Sequence, residues 1–211
     1  MSRFAEQCQA DIDWRTSEIA LLKKSTAMPS ISEEMRGMLL KYSVPALYAL
    51  WEGFVTYIFS EYVKVINAEN VSIKEIDIRI KTYHSFCELN LASPPQNTEK
   101  KEVLVDRMQR HFDDIVKLST DIATDSNVDY ASLSAIMHRY GIAPLSEDKY
   151  KSRLSRFLNF RCKIAHGNKS ISVDDARLNE FSTLVSELMD DVLITLEDHV
   201  VNKRYIANYE R

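Results

Sequence analysis

The chain has 211 residues, with 27 basic against 31 acidic side chains, and only 4 glycines and 5 prolines. So little turn-forming material argues against a sheet-rich fold and for long helices, and the length suits one domain, residues 1–211, with a substantial core. The mildly acidic balance excludes recognition of nucleic acid or of an anionic membrane through overall charge, so such a partner has to be met by a local patch.

From Ser2 to about Lys24, apolar residues recur at Phe4, Cys8, Ile12, Ile19 and Leu22, which is helical spacing. The polar, charged start of this segment has no signal-peptide core, so export is not expected. A loop around Met28-Pro29 follows, and Ser30-x-x-Glu33 reads as a capping box opening an apolar-rich segment to about Asn67, which Pro45 should kink or divide. Its greasiest run, Val44 to Phe59, carries Glu52 and Gly53 and reads as a buried helix rather than a membrane span. Ser72-x-x-Glu75 opens a shorter helix to about Leu89, and Pro94-Pro95 fixes the next stretch as a loop. Helical intervals resume from Thr98 to about Leu118. After a polar loop through Ser126 and Val128, a short helix spans Asp129 to Tyr140 and closes at Gly141. Ser146 caps a helix that Gly167 ends, and Ser172-x-x-Asp175 begins a long amphipathic helix to about Val201. No repeat, low-complexity tract or strand pattern interrupts the series. The expected class is all-α, a bundle with long antiparallel core helices, its motif-bearing part about 35–202.

Cys8, Cys87 and Cys162 lie far apart, without zinc spacing and odd in number for disulfides, which fits reduced thiols in a cytoplasm. The adjacent acids Asp113-Asp114 and Asp190-Asp191 face different ways on their helices and read as solvent-facing rather than magnesium ligands.

Two charges interrupt apolar stripes. On a helical wheel of about 100° per residue, Leu154, Phe157, Leu158, Ile164 and Ala165 all fall within roughly 60° of Arg161. Glu52 is similarly surrounded by Tyr48, Val55, Phe59 and Val63. A buried guanidinium needs a carboxylate, an anionic ligand or a polar cleft. Either Glu52 and Arg161 neutralise each other, or Arg161 lines a cleft and binds phosphate through its fork, with Glu52 orienting it. His166 precedes the capping Gly167, where carbonyl dipoles favour a protonated ring. Arg161 and His166 stand about 140° apart on a regular helix, so a joint site requires irregular winding or a second copy of the chain. Lys149, Lys151, Arg153, Arg156, Arg161, Lys163 and Lys169 form a positive run with no acid from 149 to 169. Such a run is a solvated face or a backbone-binding surface for RNA.

Phe160-Arg161-Cys162-Lys163-Ile164-Ala165-His166-Gly167 resembles the Arg-x4-6-His motif of the HEPN superfamily. The segment from Leu47 to Val55 around Glu52 is similar to the long helix of prokaryotic HEPN proteins, and Asp125 to Tyr130 through Gly141-Ile142 resembles a subgroup of bacterial toxin and defence systems. The resemblance covers about residues 35–200. It departs at Cys162, where active members often carry Asn, Asp or His. It implies a homodimer that cuts RNA by 2′-hydroxyl attack without a cofactor or metal. His166 would transfer the proton and Arg161 would stabilise phosphoryl charge, with Glu52 and Cys162 in support and Lys163, Asn168 and Lys169 on the substrate. It further implies an antitoxin or other defence-system protein as partner, and no membrane. The alternative is a non-catalytic dimerisation or nucleotide- or RNA-binding module. A cysteine enzyme using Cys162 with His166 has the spacing of one helix face but no identifiable oxyanion hole or orienting acid.

Overall fold

A computed structural model of the chain describes residues 2–124 and 126–207. Within them run seven α-helices: α1 (Arg3–Thr26), α2 (Glu33–Ala68), α3 (Ile78–Glu88), α4 (Thr98–Asp113), α5 (Tyr130–Arg139), α6 (Glu147–Ala165) and α7 (Asp175–Val201). No helix is long and apolar enough to cross a membrane.

α2 has 36 residues and so a length of about 54 Å. Its inward residues, among them Val44, Leu47, Trp51, Phe54, Ile58, Tyr62 and Ile66, repeat every three or four positions and are fully or almost fully buried. α1, α6 and α7 pack around it, and α1 also meets α7. Each apolar side chain removed from water here contributes roughly 1.5–3 kcal/mol. That burial explains why, of the two outcomes the sequence allows at Pro45, a kink or a division, the helix is not divided. The proline removes one backbone donor, but Val44 and Leu47 on either side are anchored in the core.

Several boundaries differ from the sequence reading for local reasons. The cap of α2 is Ser32, whose hydroxyl accepts from Met35 N–H, rather than Ser30; that of α7 is Asp174, accepting from Arg177 N–H, rather than Ser172. Glu75 does take both the N–H and the hydroxyl of Ser72, but the box opens only one 3-10 turn, Ile73–Glu75. The helix cannot continue, because Ile76 pairs antiparallel with Ile206 and Asp77 N–H donates to the Tyr205 carbonyl. α4 likewise stops at Asp113, short of Leu118, since Ser72 pairs with Ile115 and Val116 N–H donates to the Val71 carbonyl.

A cationic anchor in the core lies elsewhere than Arg161. Arg15, 7% exposed, holds Asp11 with two nitrogens (2.6 and 3.2 Å) and donates to the Leu50 carbonyl at 2.8 Å. Gly53 leaves room for it: a Cβ there would sit 3.0 Å from Arg15 Nη1.

Tyr62 is enclosed by Phe4, Tyr140 and Tyr205, edge to face with each, and its hydroxyl has no hydrogen-bond partner among the described residues. Removing an unpaired buried hydroxyl abolishes a desolvation cost. Tyr62→Phe therefore leaves stability unchanged or raises it by up to about 1 kcal/mol in urea unfolding; a clear loss would show a partner for the hydroxyl. Burial also pushes the His84 and His199 imidazoles below the ordinary histidine range, aided by His111 at the first and Arg204 at the second. The unfolded chain then takes up protons that the folded chain refuses. Stability is full above the unfolded value of about 6.5 and falls as pH drops from there through the depressed folded values. Thermal melting from about pH 7.5 to 5 checks this, and His84→Gln should flatten the decline.

Candidate functional site

α6 is fixed by its buried face, Tyr150, Leu154, Phe157, Leu158 and Ile164, packed on α2 and α7. Its end is a Schellman closure: Gly167 N–H donates to the Ile164 carbonyl and Asn168 N–H to the Lys163 carbonyl. Gly167 has φ +75° with open space where a Cβ would be, so the backbone conformation, and no crowding, calls for glycine. His166 is the C-cap residue, exposed, and among the described residues its ring makes no hydrogen bond. Because α6 winds regularly to Ala165, Arg161 and His166 stay on different sides of the helix, and no hydrogen bond joins them among the described residues.

The structure corrects the placement of Arg161. It is only partly buried, and it forms no ion pair with Glu52. Its guanidinium lies 4.3 Å from the centre of the Tyr48 ring, with Nη2 3.5 Å from the Ser126 carbonyl and Nη1 3.8 Å from Cys162 Sγ. Aromatic support and a long carbonyl contact replace the expected carboxylate. Glu52 instead accepts from Thr124 Oγ1 at 2.8 Å.

Three contacts pin the 119–128 loop onto one turn of α2. Thr124 bonds Glu52, Val128 N–H donates to the Tyr48 hydroxyl at 2.8 Å, and Trp51 Nε1 donates to the Val128 carbonyl at 3.1 Å. Ser126, which faces Arg161, takes a positive φ of 54°, a strained value for a residue with a side chain. Asp125 lies outside the described residues. Burial pushes the Tyr48 phenol up, the Val128 bond lowers it, Glu52 raises it and Arg161 lowers it. The segments around Glu52 and Ser126, 70 or more positions apart in the chain, thus meet at Arg161. Beside them opens a cleft of about 400 Å³ lined by Asn127, Asp129, Tyr130, Lys151, Asn159 and Cys162.

The positive run is largely spent. Lys149 pairs with Asp191, Lys151 with Glu147, Arg153 with Glu187 and Arg156 with Glu180. Most of these carboxylates come from α7, invisible in a local count of charge. Lys163 and Lys169 remain exposed, and among the described residues neither they nor Arg161 has an ion-pair partner. Asn168 builds the turn: its side-chain oxygen accepts from Ser170 N–H and hydroxyl, and its carbonyl from Lys41 Nζ. Asp113 holds Lys74, and Asp191 holds Lys149 and Tyr150. Among the described residues no three His, Cys, Asp or Glu side chains are close enough together to hold a metal ion.

Sequence reasoning missed Tyr48 as the floor of the site. Its place one turn before Glu52 on α2 was the available signal. Tyr48→Phe removes the acceptor of a buried N–H and should cost about 1–2 kcal/mol, with faster hydrogen exchange at the Val128 amide. Unchanged exchange there would mean that the loop is held by other contacts.

The HEPN_MAE_28990-like HEPN family model matches residues 4–205. No curated protein and no solved structure matches the chain. The match runs from the first turn of α1 to the tail beyond α7 and includes α2, the pinned loop and the Arg161–His166 helix. The chain therefore belongs to the HEPN superfamily, within the HEPN_MAE_28990-like family, and so to a group of domains with nuclease and other RNA-related functions.

Proposed function

We propose that this protein is a metal-independent endoribonuclease that cuts RNA at Arg161 and His166. The observation that carries the reading is an arginine held over the Tyr48 ring without a carboxylate, five residues before an exposed histidine at a helix end, in a HEPN chain. An arginine stacked on one face keeps its edge donors for a phosphate, which a guanidinium binds through two parallel hydrogen bonds. Lys163 and Lys169 add charge for the backbone.

In the proposed reaction the ribose 2′-oxygen attacks the adjacent phosphorus and the bond to the 5′-oxygen breaks. The products are a 2′,3′-cyclic phosphate and a free 5′-hydroxyl. One His166 takes the 2′-hydroxyl proton, another protonates the leaving oxygen, and Arg161 balances charge on the phosphoryl oxygens. Glu52 acts indirectly, by fixing the loop whose Ser126 carbonyl faces Arg161.

The two histidines require two chains, and the surface beside the motif favours such a pairing. Met35, Met38 and Tyr42 form an exposed apolar stripe on α2, next to Lys41, which reaches the Asn168 carbonyl just past His166. A two-fold dimer through this face would bring both motifs into one cleft. The resemblance to toxin and defence proteins fits a cytoplasmic effector restrained by an antitoxin or a defence-system partner. Cys162, partly buried and offering only a weak sulfur contact to Arg161, favours the second reading, a domain that binds RNA without cutting it.

Purified protein should cleave single-stranded RNA in excess EDTA, leave cyclic-phosphate ends, and spare DNA, which lacks the attacking hydroxyl. His166→Ala and Arg161→Ala should each slow cleavage by about 10²-fold or more while circular dichroism and melting stay normal, and Lys169→Ala should only weaken binding. Binding without cleavage would give the second reading. A need for magnesium would overturn the proposed chemistry.

A further inference from the structure

α3 and α5 leave an open groove of about 490 Å³ between them, lined by Ile78, Arg79, Thr82, Tyr83, Phe86, Ala135, His138 and Arg139. Tyr83 and Phe86 expose 43% and 51% of their surfaces there. The Arg139 guanidinium lies 4.1 Å from the centre of the Tyr83 ring. Among the described residues Arg139 has no carboxylate partner, whereas Arg79 is paired with Asp77. Flat aromatic and guanidinium surfaces with unspent positive charge are the combination that takes unpaired bases and their backbone, and the charge matches an anionic strand.

The groove and the cleft beside Cys162 both border α5. Ala131 borders the cleft that contains Cys162, while Ala135 and His138 border the groove, and all three stand on one exposed stripe of the helix. Seven residues of helix rise about 10 Å, a few stacked nucleotides. Two alanines keep the path between the sites low.

We propose that the α3/α5 groove is a second contact site for single-stranded RNA, in which unpaired bases stack on Tyr83, Phe86 and Arg139. The proposal rests on the reading of this protein as one that acts on RNA, and it is independent of cleavage. RNA leaving the motif cleft follows the α5 stripe and is held by bases that take no part in the reaction. Held this way, a substrate needs several unpaired nucleotides on one side of the cut.

The test is binding of a fluorescent oligoribonucleotide of about 10 nucleotides, and of an abasic strand of the same length, to the full chain carrying His166→Ala to suppress turnover. Tyr83→Ala and Phe86→Ala should each weaken binding of the based strand about tenfold, Tyr83→Phe should retain it, and Arg139→Lys should lose affinity while keeping its charge. Tyr83→Ala should also erase the preference for the based strand. Equal affinity for both strands, or variants that bind like the parent, would overturn the proposal. So would a change in sedimentation on Tyr83→Ala with RNA binding intact, which would make the groove a protein-binding face. Binding as expected by a wild type that never cleaves would overturn only the nuclease reading, and a chain that binds no RNA would overturn both.

Discussion

Tyr48 acts on both sides of the site, and the arrangement around it depends on that double use. Its hydroxyl accepts the Val128 N–H and so helps fasten the 119–128 loop, while its ring carries the Arg161 guanidinium. Trp51 and Glu52, within the same turn of α2, secure the same loop through its Val128 carbonyl and Thr124 hydroxyl. A single turn of the most buried helix therefore sets the position of the loop, of α6 opposite it, and of the strained Ser126 between them. A rigid helix beneath a functional side chain keeps that side chain in place without extra ordering cost when a ligand arrives.

The two arginines facing α2 show how surroundings decide what a charge can do. Arg15 is enclosed, bidentate to Asp11 and bonded to a backbone carbonyl, with Gly53 making space for it. Such a pair is costly to break, and its burial closes it to a ligand. Arg161 has an aromatic face beneath it, one long carbonyl contact and no carboxylate, so much of its hydrogen-bonding capacity is uncommitted. Cation–π support stabilises the charge by roughly 0.5–2 kcal/mol without neutralising it. The α6–α7 seam follows the opposite logic, since its ion pairs consume Lys149, Arg153 and Arg156 of the neighbouring positive run.

Much of the fold was legible from local signals. The spacing of Phe4, Cys8, Ile12 and Ile19 gave α1, Ser146 and Gly167 bracketed α6, and Asp129 and Gly141 bracketed α5. The candidate site was legible in part, because the wheel found Arg161 and Glu52 misplaced among apolar residues. It could not tell that each would be satisfied by a different partner, Tyr48 in one case and Thr124 in the other. It also passed over Arg15, whose partner Asp11 lies only four residues earlier.

By itself the sequence determined the helical class, the order of the elements, the Gly167 closure that leaves His166 exposed, and the motif by which the superfamily is recognised. Each rests on interactions within a few residues, namely periodicity, capping and the left-handed glycine, which the chain carries wherever it folds. Only the tertiary structure decided that Ile76 leaves its helix to pair with Ile206, that α7 neutralises three residues of the positive run, that Arg161 lies on Tyr48, and that α3 and α5 leave an aromatic groove open. Those outcomes depend on which side chains arrive from dozens of positions away, and burial, charge pairing and stacking are settled by that arrival rather than by local spacing.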